Sequence, residues 1–129
     1  MATELQFTGE RFVPGIDGEI VYEHVHRYAF ARALVHGKRV LDAACGEGYG
    51  SALLAQRAAS VTGVDIDAAT IAHARERYRD AGNLSFVAAS VAELPLPDAS
   101  FDAIVSFETI EHLPAADQPR MLAEFARVL

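Results

Sequence analysis

Three places in this 129-residue chain carry residues whose types and spacing could do chemistry: Asp42 with Gly46, Gly48 and Gly50, then Asp65, then Glu108, Glu111 and His112. Glycines at alternate positions suit a turn whose backbone comes close to a ligand, because glycine accepts positive φ and has no side chain to hold a ligand away. A helix expected over residues 51–57 would aim its unpaired N–H groups back at that turn. Asp65 follows at the end of the next apolar run, where an acid can accept both hydroxyls of a ribose. Strand, turn and helix together predict a nucleotide-sized cradle.

The elements that must position these residues can be read from periodicity. Residues 1–18, punctuated by Gly9, Pro14, Gly15 and Gly18, read as an irregular arm. Residues 19–36 carry Val21, Val25, Tyr28, Ala29 and Leu34 at roughly helical spacing, and Gly37 is placed to end that helix. Val40 and Leu41 open a buried strand running into the glycine turn. Val61, Val64 and Ile66 predict a second strand ending at Asp65. Asp67 is a good N-cap for a helix through Ile71, Ala74 and Tyr78. A third strand is expected over 84–88, a loop over 92–100 because of Pro95 and Pro97, and a fourth strand over 101–107. Gln118, Met121, Leu122, Phe125, Val128 and Leu129 form one face of a last helix over 115–129. Strands alternating with helices imply an α/β fold, a doubly wound parallel sheet with helices on both faces. Ligands of such sheets bind outside the carboxyl ends of the strands, so the cradle, Asp65, the loop after Ala88 and Glu108 should line one crevice.

Composition narrows the function classes. At this length the chain is one domain, and 51% hydrophobic residues suffice for a core. A net charge of −7 argues against a nucleic-acid partner, which would need clustered Lys and Arg. No apolar run approaches the length of a membrane span and no signal peptide is evident, so neither a membrane partner nor export is expected. The single cysteine, Cys45, excludes an internal disulfide and points to a reducing, cytoplasmic setting. His24 and His26 stand two apart and do not share a helix face, so no metal site is expected there.

LDAACGEGYGS, then VTGVDID, then LSFVAASVAELPLPDASFDAIVSFETIEHL resemble, in order and spacing, the class I S-adenosylmethionine-dependent methyltransferases, in particular the branch acting on small molecules such as quinone precursors. The resemblance covers residues 39–129; ERFVPG and EHVHRYAFA are similar to leader regions of some members, a less specific match. It implies a Rossmann-like cofactor-binding domain over 38–129, preceded by an arm and helix over 1–37, with S-adenosyl-L-methionine as cofactor and a small-molecule methyl acceptor. It further implies that Gly46 and Gly48 admit the methionine part of the cofactor and that Asp42 sits near its amino group through water. Asp65 would hold the ribose hydroxyls, Ile66 would pack on the adenine, Ser90 and Val91 would reach the adenine edge, and Glu108 would lie near the sulfonium. At Ser90 the common pattern has an aspartate; a serine hydroxyl can still hydrogen-bond.

His112 and Glu111 are the candidates for a general base, needed only where the acceptor must lose a proton; a histidine bonded within the turn before the last helix is the competing reading. Cys45 reads as a small buried residue rather than a nucleophile. The family domain has seven strands and this chain supplies four, so a chain cut from a longer protein is one expectation and a partner covering the open edge of the fourth strand is the other, including homodimerisation through that edge. Two further functions stay open at this point: a cofactor-binding fragment without turnover, and a nicotinamide-dependent oxidoreductase. The oxidoreductase reading is the weaker, because Gly50 falls one position early for a G-x-G-x-x-G turn.

Overall fold

The computed structural model describes residues 19–129; the expected arm over 1–18 lies outside the described residues, as do the side chains of Val21 and His24. The chain runs α1 (Glu19–Leu34), β1 (Arg39–Ala43), α2 (Tyr49–Ala55), β2 (Ser60–Asp65), α3 (Ala68–Arg77), β3 (Leu84–Ala88), β4 (Ala103–Ser106), a 3-10 turn (Ile110–His112) and α4 (Asp117–Val128). The four strands are parallel in the order β3-β2-β1-β4. The chain thus steps outward from β1 to β3 and then crosses back to the far side of β1. Strand order reverses between β1 and β4, and a crevice opens at their carboxyl ends.

Register assigns the two faces of the sheet. Val40, Val61 and Leu84 align across β1, β2 and β3, as do Asp42, Gly63 and Phe86. This face is covered by Tyr28 and Ala31 of α1, Val35 just after that helix, Leu54 of α2, and Ile71 and Ala74 of α3. The opposite face carries Leu41, Ala43, Val64 and Ile104, and meets Leu94 and Phe101 together with Met121, Phe125 and Val128 of α4. Burial of each such Val, Leu or Ile side chain contributes about 1.5–3 kcal/mol, which makes this two-faced core the main source of stability. α3 is started by Asp67, whose Oδ1 accepts from the N–H groups of Ala69 and Thr70 at 3.0 and 3.2 Å. The long loop after β3 is fastened by Arg127, which donates to the carbonyls of Leu94 and Leu96 at 3.0 and 2.7 Å and pairs with Asp98 and Glu124.

Several boundaries and faces differ from the sequence-based expectations. β4 begins at Ala103, not Phe101, because the N–H groups of Ser100 and Phe101 donate to the Val128 carbonyl at the end of α4 rather than to a strand. α2 starts two residues early, at Tyr49, since Gly48 takes a left-handed conformation and its carbonyl receives the Ala52 N–H. Among the described residues the buried positions of α1 are 28 and 31, with Val35 buried just past its end, leaving Ala29 and Leu34 exposed. Leu122 of α4 and Leu129 just past its end are likewise exposed, and the buried line of the helix runs through Met121 and Val128. Among the described residues no helix is long and apolar enough to cross a membrane.

Gly63 has no place in a glycine turn, yet a Cβ there would stand 2.7 Å from the Phe86 ring and 2.9 Å from Ser51 Oγ. Gly63→Ala should therefore lower stability by about 1–3 kcal/mol through overpacking. Gly82→Ala, whose Cβ would meet nothing within 4 Å, should stay within about 0.5 kcal/mol of the parent. Urea unfolding followed by circular dichroism checks both; equal effects would remove the close-packing account of Gly63.

Candidate functional site

The turn after β1 is built differently from the way its glycines suggest. The left-handed positions are Ala44 (φ 61), Gly46 (φ 56) and Gly48 (φ 88), so the series begins at an alanine and Gly50 lies inside α2. A left-handed alanine is strained by roughly 1–2 kcal/mol, and the surrounding bonds hold it: the Cys45 N–H donates to the Val64 carbonyl at 2.9 Å and the Gly48 N–H to the Cys45 carbonyl at 3.2 Å. Gly50 is glycine because a Cβ there would lie 2.1 Å from the Tyr28 ring. At Gly48 a Cβ would lie 2.5 Å from the Phe86 ring. Of the three glycines, Gly46 and Gly50 line the crevice, while Gly48 backs onto β3 and is not part of its wall.

Asp42 stands behind the crevice rather than in its lining. It is fully buried, with Oδ1 accepting from the Tyr28 hydroxyl at 3.1 Å and Oδ2 from the Ser51 hydroxyl at 2.6 Å. Burial pushes this carboxyl from 3.8 up to about 7, against the pull of the Ser51 and Tyr28 hydrogen bonds, and the charge of Asp65 adds to the rise. Tyr28 is itself raised well above 10.0, mainly by burial and then by Asp42. Cys45 is buried and its thiol is pushed far up by burial and by the charges of Asp42 and Asp65, which leaves it a poor nucleophile.

The crevice encloses about 350 Å³. On one side stands Asp65, whose carboxylate is fixed by two backbone donors: Gly46 N–H to Oδ2 and Asp67 N–H to Oδ1, both 3.0 Å. Each oxygen keeps a further lone pair with which it can accept another hydrogen bond. Beside it Ile66 leaves 76% of its surface exposed on the crevice wall, an apolar face for a flat ring. Ala89, Ser90 and Val91 close that end, joined to it by the Ala89 N–H donating to the Asp65 carbonyl at 3.0 Å.

The opposite side follows β4. Glu108, at φ 52, and His112 line the crevice, whereas Glu111 does not. His112 Nε2 is 3.7 Å from Glu111 Oε1, with both side chains about half exposed. The segment is braced internally, Ser106 Oγ donating to Thr109 Oγ1 at 2.8 Å, and the 3-10 turn is tied to α4 through Gln118, which donates to the Ile110 carbonyl. α1 reaches across to it twice: the Tyr28 ring meets Phe107 edge-on at 5.2 Å, and Arg27 Nη2 pairs with Glu108 Oε1 at 2.9 Å.

Gly46, Asp65, Ile66, Ser90, Val91, Glu108 and His112 are thus brought to one crevice, while Asp42, Gly48 and Glu111 stand outside its lining. Sequence reasoning passed over Tyr28, Ala44, Glu47, Phe107 and Thr109, which also line it. Glu47 had a signal: a charged residue between two glycines is buried in the structure, with Oε1 3.0 Å from His73 Nδ1 in a close contact rather than an aligned hydrogen bond. Tyr28 had none beyond helical spacing, since its partners lie fourteen and more residues away.

The methyltransferase domain family model matches residues 40–129. The chain belongs to that family. It is 44% identical over 132 residues to a probable S-adenosylmethionine-dependent methyltransferase of Mycolicibacterium smegmatis, a match covering all of this chain and 49% of that protein. It is 43% identical over 101 residues to the fatty-acid O-methyltransferase of the same organism, covering 77% of this chain and 36% of that protein. Among solved structures, the PH0226 protein from Pyrococcus horikoshii OT3 superposes with a TM-score of 0.77 at 27% identity, over 89% of this chain and 56% of that one. The chain therefore spans half or less of the length of these curated relatives. The parallel sheet, its helices on both faces and the crevice at the strand ends are the Rossmann-like α/β arrangement expected from the sequence.

Asp42 should leave a mark on stability against pH. Its carboxyl returns to 3.8 in the unfolded chain, so folding takes up a proton between that value and about 7. The associated stabilisation is complete below about pH 4 and is lost as pH rises through about 7. Asp102 and Glu124 run the other way: hydrogen bonds from Arg39 and Arg127 hold both carboxyls well below the usual range, and their contribution disappears as pH falls below about 4. Urea unfolding should show stability declining from about pH 4 to 8 in the parent and a flatter profile in Asp42→Asn. An equal slope in the two proteins would show that Asp42 does not carry it.

Proposed function

We propose that this chain holds S-adenosyl-L-methionine in the crevice and supplies the cofactor half of an enzyme that methylates a small-molecule acceptor. The observation that carries the reading is Asp65, a carboxylate locked by two backbone N–H groups next to an exposed apolar Ile66. That pairing suits a ribose diol joined to a flat base. Membership of the methyltransferase family and relatives bearing S-adenosylmethionine-dependent names support it. When bound, this cofactor presents a methyl group on a positively charged sulfonium, an already activated leaving group.

The protein's part is then largely positioning, which can supply about 7–11 kcal/mol. Asp65 accepts the ribose hydroxyls and Ile66 backs the base. Gly46 lets the turn approach the amino-acid end, and Glu108 places negative charge at the sulfonium end. Asp42 acts from behind, holding the turn through Ser51. His112, on the crevice wall and open to solvent, takes the acceptor's proton where one must leave; Glu111 supports it from outside. Residues 38–129 form the cofactor-binding unit, and α1, which precedes it, contributes Tyr28 to the wall. The acceptor is a small molecule, in keeping with relatives named fatty-acid O-methyltransferase and ubiquinone biosynthesis O-methyltransferase. The buried, unreactive single thiol fits a cytoplasmic setting.

Calorimetric titration with S-adenosylhomocysteine, with NADH as control, tests the cofactor. Saturable binding of the first alone is expected, and Asp65→Ala should weaken it about tenfold or more by removing two charge-assisted acceptors. Preference for NADH, or unchanged affinity in the variant, would overturn the assignment. Among the described residues β4 pairs only with β1, which leaves its outer edge open. We propose that copies of the 129-residue chain associate along this edge. Light scattering at high concentration should give a dimer or larger species, and a monomer would count against edge pairing.

A further inference from the structure

Among the charged residues of the crevice wall, Glu47 is the buried one, with 3% of its surface exposed. It stands in the turn between the left-handed Gly46 and Gly48. Its carboxylate lies against α3. Oε1 is 3.0 Å from His73 Nδ1, and the next residue of that helix, Ala74, packs so closely that its Cβ would lie 3.3 Å from one built on Gly48. Oε2 has no hydrogen-bond partner, and among the described residues His73 is the only side chain paired with this carboxylate.

A carboxylate kept from water is tolerated only where its oxygens are met. Here one oxygen is unmet already, so the imidazole is the contact that offsets the burial. Without it the side chain must reach water. Behind the turn, Cys45, Ile71, Ala74 and Phe86 form a buried apolar cluster that offers no route. In front is the crevice of about 350 Å³, whose wall Glu47 already helps to form. The glycine on each side puts little restraint on the turn, because glycine enters most of backbone space without a steric penalty. The carboxylate can therefore swing forward without breaking a strand or a helix.

We infer that His73 is a positioning residue that keeps the Glu47 carboxylate against α3 and out of the crevice. The inference rests on the proposed cofactor reading, because that reading puts the ligand in this crevice. A carboxylate released into it would occupy ligand space beside Gly46 and bring a second negative charge toward Asp65, which the Gly46 N–H holds at 3.0 Å. His73 then matters to the ligand only through Glu47, and removing the Glu47 charge should make His73 dispensable. A histidine that served packing alone would show no such dependence.

The test is a double-mutant cycle on the whole chain: parent, His73→Ala, Glu47→Gln and the two together, each checked for folding by circular dichroism and titrated calorimetrically with S-adenosylhomocysteine. His73→Ala should weaken binding by about tenfold or more, and adding Glu47→Gln to it should recover most of that loss. A His73→Ala chain that binds within about threefold of the parent overturns the inference. So does a double variant that binds no more tightly than His73→Ala; in both cases the cofactor reading stands, because the parent binds. A folded parent without affinity for S-adenosylhomocysteine overturns the cofactor reading and the inference with it. Should His73→Ala fail to fold, His73→Leu, which keeps the bulk and removes the donor, takes its place with the same expected and overturning results.

Discussion

The hydrogen-bonded set of Tyr28, Asp42 and Ser51 is the contact on which the rest of the structure depends. It joins α1, β1 and α2 at one buried carboxylate, and both oxygens of that carboxylate are occupied. A buried acid is tolerated only where its lone pairs are met, so the positions of both helices are dictated from the strand outward. The neighbouring residues conform to it. Gly50 leaves room for the Tyr28 ring and Gly63 for Ser51 Oγ, each at a distance where a methyl group would collide. Asp42 thus shapes the crevice without entering it.

With α1 and α2 fixed, the turn between β1 and α2 has little freedom. Its left-handed residues at 44, 46 and 48 fold the backbone back so that the Gly46 N–H reaches the Asp65 carboxylate at the end of β2. That one bond couples the two strand ends that flank the site. It orients Asp65 in advance of any ligand, so that binding need not include the entropic loss of ordering that side chain. On the other flank, Arg27 with Glu108 and Tyr28 with Phe107 connect α1 to the segment after β4. α1 is in this way a wall of the site as well as a cover for the sheet.

Charge pairs secure the end of the sheet away from the crevice. Arg39 donates to Asp102 from its main chain and its guanidinium, closing the start of β1 against the approach to β4. Arg127 gathers the loop after β3 onto α4 through two carbonyls and two carboxylates. Exposed pairs of this kind add little individually, and their effect is in the network and its geometry. They settle the course of a proline-containing loop that has no regular structure of its own, and so place Ser90 and Val91 at its start.

Much of the architecture was legible in residue order because it depends on local periodicity. The strand cores at 40–41, 61–65 and 84–88, the Asp67 cap and the alternation that demands a parallel sheet all follow from spacings within a few residues. So did the gathering of Gly46, Asp65, Ile66, Ser90, Glu108 and His112, since residues after strand ends share one edge of such a sheet. What periodicity could not convey was side-chain direction set by distant partners. Asp42, at the head of a glycine turn, invited a place in the site, yet Tyr28 and Ser51 draw it into the core. Gly48 looked like room for a ligand and is room for Phe86, while Gly50, on the crevice wall, also leaves room for the Tyr28 ring. The left-handed Ala44, the buried Glu47 and the inward Tyr28 likewise became visible only in three dimensions, because contacts between residues far apart in sequence decide which side of a strand end faces the crevice and which faces the core.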